Sequence, residues 1–79
     1  MEKTEIYSKL SDIFRLVFDD DSITIDEHTS RSSIPSWDSL EHVNLLMAIE
    51  NKFNIRFDIE EAAEIQNVSQ IVEYIVKNQ

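Results

Sequence analysis

Ser39 and His42 stand three residues apart at the start of the chain's most apolar helical stretch, directly after Asp38. A serine in that setting can do one of three things. It can be structural, since serine is common in the first turn of helices. It can be a nucleophile, because His42 lies on nearly the same helical face and a Ser39–His42 hydrogen bond is conceivable. It can also be an attachment point for a phosphate-linked group. A phosphodiester there would sit at a helix N-terminus, where free N–H groups and the helix dipole stabilise anions. A separate transferase could supply the activation.

The nucleophile reading is the weakest in what surrounds it. A hydrolase also needs a group to orient the base and donors for an oxyanion. Nothing in the sequence supplies them, and the chain has no glycine for a strained nucleophile elbow. His42 also leans toward the core side of its helix, where a histidine serves as a structural hydrogen-bonding residue. His28 and His42, without any cysteine, do not make a metal site.

The elements that must hold Ser39 come from a short chain. At 79 residues the sequence predicts a single domain over 1–79. A chain of this size buries only about 60% of its unfolded surface. Lacking cysteine, it has to be stabilised by helix packing. Sixteen acidic residues against seven basic ones give a net charge of −9. That balance argues against nucleic acid, whose binding needs basic patches, and against anionic membranes. It either steers the protein toward basic partner surfaces or simply keeps it soluble. The absence of glycine excludes phosphate-cradling glycine loops and dinucleotide fingerprints. It also means that left-handed backbone positions must fall to asparagine or aspartate. No apolar run approaches the roughly 20 residues that span a bilayer. The charged start, Met1-Glu2-Lys3-Thr4-Glu5, lacks a signal-peptide core, so a cytoplasmic location is expected.

Apolar spacing predicts a first helix from about Glu5 to Phe18, with Ile6, Leu10, Ile13, Phe14, Val17 and Phe18 on one stripe and Thr4 as its N-cap. Asp19-Asp20-Asp21 should end it, because carboxylates oppose the dipole there. A connection to Trp37 follows, long enough to suggest a job. Ile23 and Ile25 are expected to pin it, Thr29 to Ser33 to lie on the surface, and Ile34 and Trp37 to anchor its end. The second helix spans about Ser39 to Phe53. Asp38 is its N-cap, Glu41 completes a capping box, and Asn54 is the left-handed stop. A short helix through Glu64 opens at Asp58 or Ile59. A last helix follows Asn67, with Gln70 in a second capping-box pattern and Val68, Ile71, Val72 and Ile75 on its apolar face. Tyr74 is expected to cover the edge of that face. The fold class is all-α, a small four-helix bundle with a long first loop and a short third helix.

The second helix carries more apolar surface than a core face needs. At about 100° per residue, Leu45, Leu46, Ile49 and Phe53 share one arc. Leu40, Val43 and Met47 form a second stripe, set off by Glu50 on one side and by Asn44 and Asn51 on the other. That stripe either packs under the loop or the short helix, or serves as a partner patch beside Ser39 with Glu41 and Glu50 as a charged rim.

Trp37-Asp38-Ser39-Leu40, followed by Val43, Leu46, Met47-Ala48-Ile49-Glu50 and Phe53-Asn54-Ile55, resembles the acyl and peptidyl carrier protein family. The likeness extends over nearly the whole chain. It implies a small acidic four-helix bundle, monomeric and without catalysis of its own. Ser39 would carry 4′-phosphopantetheine from coenzyme A, attached by a phosphopantetheinyl transferase. Asp38 would assist by contacting the transferase's metal. Leu40, Glu41, Val43, Met47 and Glu50 match positions that meet partners. A loading enzyme would place an acyl or aminoacyl group on the terminal thiol as a thioester, and acyl-transferring enzymes would take it onward. The core arc would border the cavity that shelters an acyl chain in some members. Two positions depart from the common pattern: Ser36 stands where fatty-acid carriers usually have glycine, and Asn54 replaces a common glycine after the second helix. The Trp-Asp-Ser-Leu form resembles specialised stand-alone carriers found beside polyketide, non-ribosomal peptide or surface-polysaccharide pathways. The competing expectation is an unmodified helical interaction module that uses the Leu40/Val43/Met47 stripe.

Overall fold

Four amphipathic segments become four helices: α1 Lys3–Val17, α2 Ser39–Phe53, α3 Ile59–Glu64 and α4 Val68–Asn78. The computed structural model describes residues 1–78. The apolar faces of α1, α2 and α4 meet in one core. Ile6, Leu10 and Phe14 of α1, Leu45 and Ile49 of α2, and Val68, Ile71 and Ile75 of α4 are its most deeply buried members. Burying side chains of this kind contributes about 1.5–3 kcal/mol each before the entropy of ordering the chain is set against it.

Among the described residues, both left-handed positions are taken by the residue types that a glycine-free chain leaves for them. Asp19 has φ 51° and Asn54 has φ 55°. Beyond α1, Asp20 N–H donates to Arg15 O at 3.0 Å and Asp19 N–H to Leu16 O at 3.3 Å. These are the two bonds of a Schellman stop. The reversal at Asp19 therefore ends α1 directly, beyond any effect of the three carboxylates on the dipole. Past α2, Ile55 N–H donates to Glu50 O at 3.2 Å across Asn54 in the same way.

Three local expectations are corrected. α1 starts two residues early, after Glu2, so Thr4 lies inside its first turn and caps nothing. Ile6, fully buried, needs a completed turn before it, and its N–H reaches Glu2 O at 3.0 Å. Neither capping box closes reciprocally. The Glu41 carboxylate accepts from Asn44 Nδ2 at 2.9 Å instead of reaching back to Asp38, whose N–H is taken by Ser36 O. Gln70 Oε1 accepts from Gln66 N–H, while Asn67 Oδ1 caps Gln70 N–H at 2.9 Å. Finally, the Thr29–Ser33 stretch is not simply surface. Thr29 is buried, Ser30 bridges Asn67, Val68 N–H donates to Thr29 O, and Arg31 N–H donates to Gln66 O, both at 2.9 Å. The long loop is thus tied to the entrance of α4. At its other end, Arg15 Nε donates to Ile23 O at 2.8 Å, and Ile23 and Ile25 pack half-buried against the core.

α3 is held differently from the other helices. None of its residues is buried. Polar clamps hold it in place. Glu50 Oε2 accepts from Phe57 N–H at 2.8 Å. The Tyr74 hydroxyl accepts from Asp58 N–H at 3.0 Å and donates to Arg56 O at 2.9 Å. Tyr74 also stacks on Phe57, with ring centroids 4.6 Å apart, so it does cover the edge of α4's apolar face.

Candidate functional site: the loop-to-helix junction at Ser39

The junction is built from its buried side outward. Trp37 ends the loop in the core, edge-on to Phe14 at 5.4 Å between ring centroids. Its indole Nε1–H donates to His42 Nδ1 at 2.9 Å. Indole nitrogen is only a donor, so Nδ1 must be the bare nitrogen and Nε2 must carry the proton. That proton points at Ala62 O, 2.9 Å away. One imidazole therefore ties the loop, α2 and α3 together. Among the described residues no buried side-chain nitrogen or oxygen lacks a hydrogen-bond partner. This is the structural histidine that the core-leaning position suggested. Both of its nitrogens are committed elsewhere, so it offers Ser39 no base.

Between Trp37 and His42 the chain turns outward. Asp38 is extended, with φ −95° and ψ −174°, and its Oδ1 accepts from Glu41 N–H at 2.8 Å as the N-cap. Asp38 O accepts from His42 N–H at 2.8 Å, which starts the helical ladder. Ser39 and Leu40 are exposed. Their amides belong to the first turn, where N–H groups have no intrahelical acceptor. An anion on the Ser39 hydroxyl would sit beside these donors at the positive end of a 15-residue helix. The donor set suits a phosphodiester. The neighbouring Asp38 carboxylate is exposed and, with one oxygen used in the cap, retains the other for a cation. Among the described residues no group of three or more His, Asp or Glu is placed to hold a metal ion by itself.

Below Ser39 the second stripe of α2 faces solvent. Leu40 is 71% exposed, Val43 53% and Met47 56%. Val43 and Met47 also border a groove of about 320 Å³ against α3, whose walls include Leu46, Phe57, Ile59 and Ala63. The core arc is otherwise closed, with Leu45 and Ile49 fully buried. Of the two carboxylates expected along the stripe, Glu41 is bonded to Asn44. Glu50 is half-buried and accepts the Phe57 N–H. Sequence reasoning missed this second duty of Glu50. It also missed Ile59 on the far wall of the groove. The available signal was an isoleucine opening a segment whose other apolar residues are only Ala62 and Ala63.

The family model described as "Phosphopantetheine attachment site" matches residues 5–75. An acyl carrier protein of Rubrobacter xylanophilus is 35% identical over 81 residues, covering 100% of this chain and 98% of that one. One from Helicobacter pylori is 51% identical over 41 residues, a match that spans about half of each chain, 52% here and 53% there. Among solved structures, the holo acyl carrier protein of Geobacter metallireducens superposes with a TM-score of 0.83 at 39% identity, covering 90% of this chain and 82% of that one.

Proposed function

Because the chain belongs to the phosphopantetheine attachment-site family of acyl carrier proteins, we propose that Ser39 is the residue that carries its 4′-phosphopantetheine. Members of this family are carriers rather than enzymes, and they work with acyl-handling enzymes. The observation that carries the assignment is the exposed Ser39 hydroxyl at the first position of α2. The Asp38 cap on one side and the Trp37–His42 bond beneath keep that position rigid. When bound, the prosthetic arm supplies the thiol on which an acyl or aminoacyl group is held as a thioester.

The chain's own residues do the rest. The Ser39 oxygen forms the phosphoester bond, loses its proton, and displaces 3′,5′-ADP from coenzyme A. The metal belongs to the transferase; Asp38 would help hold it through the carboxylate oxygen left over from the cap, and the metal would offset the charge of the phosphate under attack. The first-turn amides hold the resulting negative charge. Loading and acyl-transferring enzymes then meet α2 beside Ser39, through Leu40, Val43 and Met47, with Glu41 and Glu50 at the margin. Coenzyme A is an intracellular donor, which supports a cytoplasmic site of action. Among the described residues no helix is long and apolar enough to cross a membrane.

The test is intact-mass measurement after incubation with coenzyme A, magnesium and a broad-specificity phosphopantetheinyl transferase. The wild type should gain one phosphopantetheine unit and Ser39→Ala none. Absence of the gain in the wild type, or an equal gain in Ser39→Ala, refutes the assignment.

A further inference from the structure

We propose that His42 sets the class of cargo that an arm on Ser39 can carry. Its ring bars the way from the groove between α2 and α3 into the core. The cargo therefore stays in solvent. That suits a short or polar acyl group, aminoacyl groups included, and not a long aliphatic tail. This inference rests on the reading of Ser39 as the attachment point.

An aliphatic tail gains by leaving water, in proportion to the apolar area it buries. The groove bordered by Val43 and Met47 begins one turn along α2 from Ser39. His42 and Leu46 are the buried residues of its lining, so they form its floor. At the His42 end that floor is polar and fully bonded. Nε2 of the ring lies 2.9 Å from Ala62 O on α3, and Nδ1 accepts from the Trp37 indole at 2.9 Å. Behind the ring stands Trp37, stacked on it with centroids 6.0 Å apart, and behind Trp37 stands Phe14 of α1.

Passage inward at the Ser39 end of the groove means displacing that ring and breaking both bonds. A tail of CH2 groups can replace neither, so the Trp37 N–H and Ala62 O would be left unpaired against hydrocarbon. Orphaned buried groups are the costly kind of loss. Swinging α3 away to widen the groove meets the same obstacle at its other end. There Glu50 Oε2 holds the Phe57 N–H at 2.8 Å, and the Tyr74 hydroxyl holds the Asp58 N–H at 3.0 Å. Beyond the floor, Leu45, Ile49, Ile71 and Ile75 are buried, and a close-packed interior yields no room without rearrangement. A cargo kept outside has to be at home in water, and is therefore short or polar.

The experiment loads the wild type, His42→Ala and His42→Val with acetyl, hexanoyl and dodecanoyl arms. A broad-specificity transferase and the matching coenzyme A thioesters supply them, and intact mass confirms each product. Thermal melts and the emission of Trp37, the single tryptophan, are then recorded. A tail that buries itself stabilises only the folded state, so Tm rises with its length. The three wild-type forms should melt within about 2 °C of one another and share one emission spectrum. In both variants the dodecanoyl form should melt at least about 4 °C above the acetyl form, with an emission shift as the tail reaches Trp37. His42→Val keeps part of the ring's packing and serves where His42→Ala is too unstable to melt cooperatively. A wild-type Tm that climbs further with tail length, or variants that climb less than expected, overturns this inference alone. A wild-type protein that accepts no arm removes the Ser39 assignment and this inference with it.

Discussion

Replacing His42 with alanine tests the lock beneath Ser39. The change leaves the Trp37 indole N–H in the core without an acceptor and Ala62 O without its donor. An orphaned buried donor costs about 1–3 kcal/mol. Ala62 is half-buried, so water can replace the second bond in part. The ring's packing on Trp37, with centroids 6.0 Å apart, is lost as well. Together these give a loss of about 3 kcal/mol. A domain of this size has roughly 4–12 kcal/mol in total, so the loss is severe. At about 4–8 °C per kcal/mol it lowers Tm by about 12–24 °C. Urea and thermal melts followed by circular dichroism measure it. Trp37→Phe separates the bond from the packing, and the double variant should lose about 1 kcal/mol less than the sum of the singles. A His42→Ala loss below about 0.5 kcal/mol, or strict additivity with Trp37→Phe, would refute the reasoning. α3 should feel the change first, because the His42–Ala62 bond is one of the few clamps it has. Its amides should exchange faster in His42→Ala even well below the melting range.

Asp38 is assigned two duties that substitution can separate. Asp38→Ala should cost about 1 kcal/mol through the lost cap, whereas Asp38→Asn, an equal cap, should be nearly neutral in urea melts. Both should slow phosphopantetheine transfer, and wild-type transfer by Asp38→Asn would show that the carboxylate charge is not needed. Tyr7 gives a pH dependence. Burial, helped by the Glu27 and Asp26 carboxylates, raises its phenol above the ordinary 10.0. A raised folded-state value means the unfolded chain loses this proton first as pH rises. The associated stability is present below about pH 10 and is lost as pH climbs through the folded value. Tyr7→Phe should flatten that alkaline decline in urea midpoints, and parallel curves for the two proteins would show that Tyr7 contributes nothing to it.

Much of the fold was legible because it is local. Helical spacing placed the core residues of α1, α2 and α4. Asp38 declared the start of α2, and Asn54 its left-handed end, because a chain without glycine has few alternatives. The helix period placed Leu40, Val43 and Met47 on one stripe, and the packing of the helices then left that stripe exposed. The departures have a common cause. A capping box reads as reciprocal when only the two residues three apart are considered, but Glu41 had Asn44 nearby and Asp38 N–H had Ser36 O. The Thr29–Ser33 stretch reads as surface until α4 arrives beside it and pairs through Asn67.

By itself, the sequence determined which segments are helical, where α2 begins, and that an accessible serine opens it. Those properties depend on neighbours within a turn. Only the tertiary structure decided what surrounds that serine. His42 and Ala62 lie 20 residues apart in sequence, and Glu50 and Phe57 are on either side of a chain reversal. Whether their polar atoms meet depends on how α3 is laid against α2, which no local spacing encodes. The same packing turned Glu50 inward as a clamp and left Ile59 facing outward.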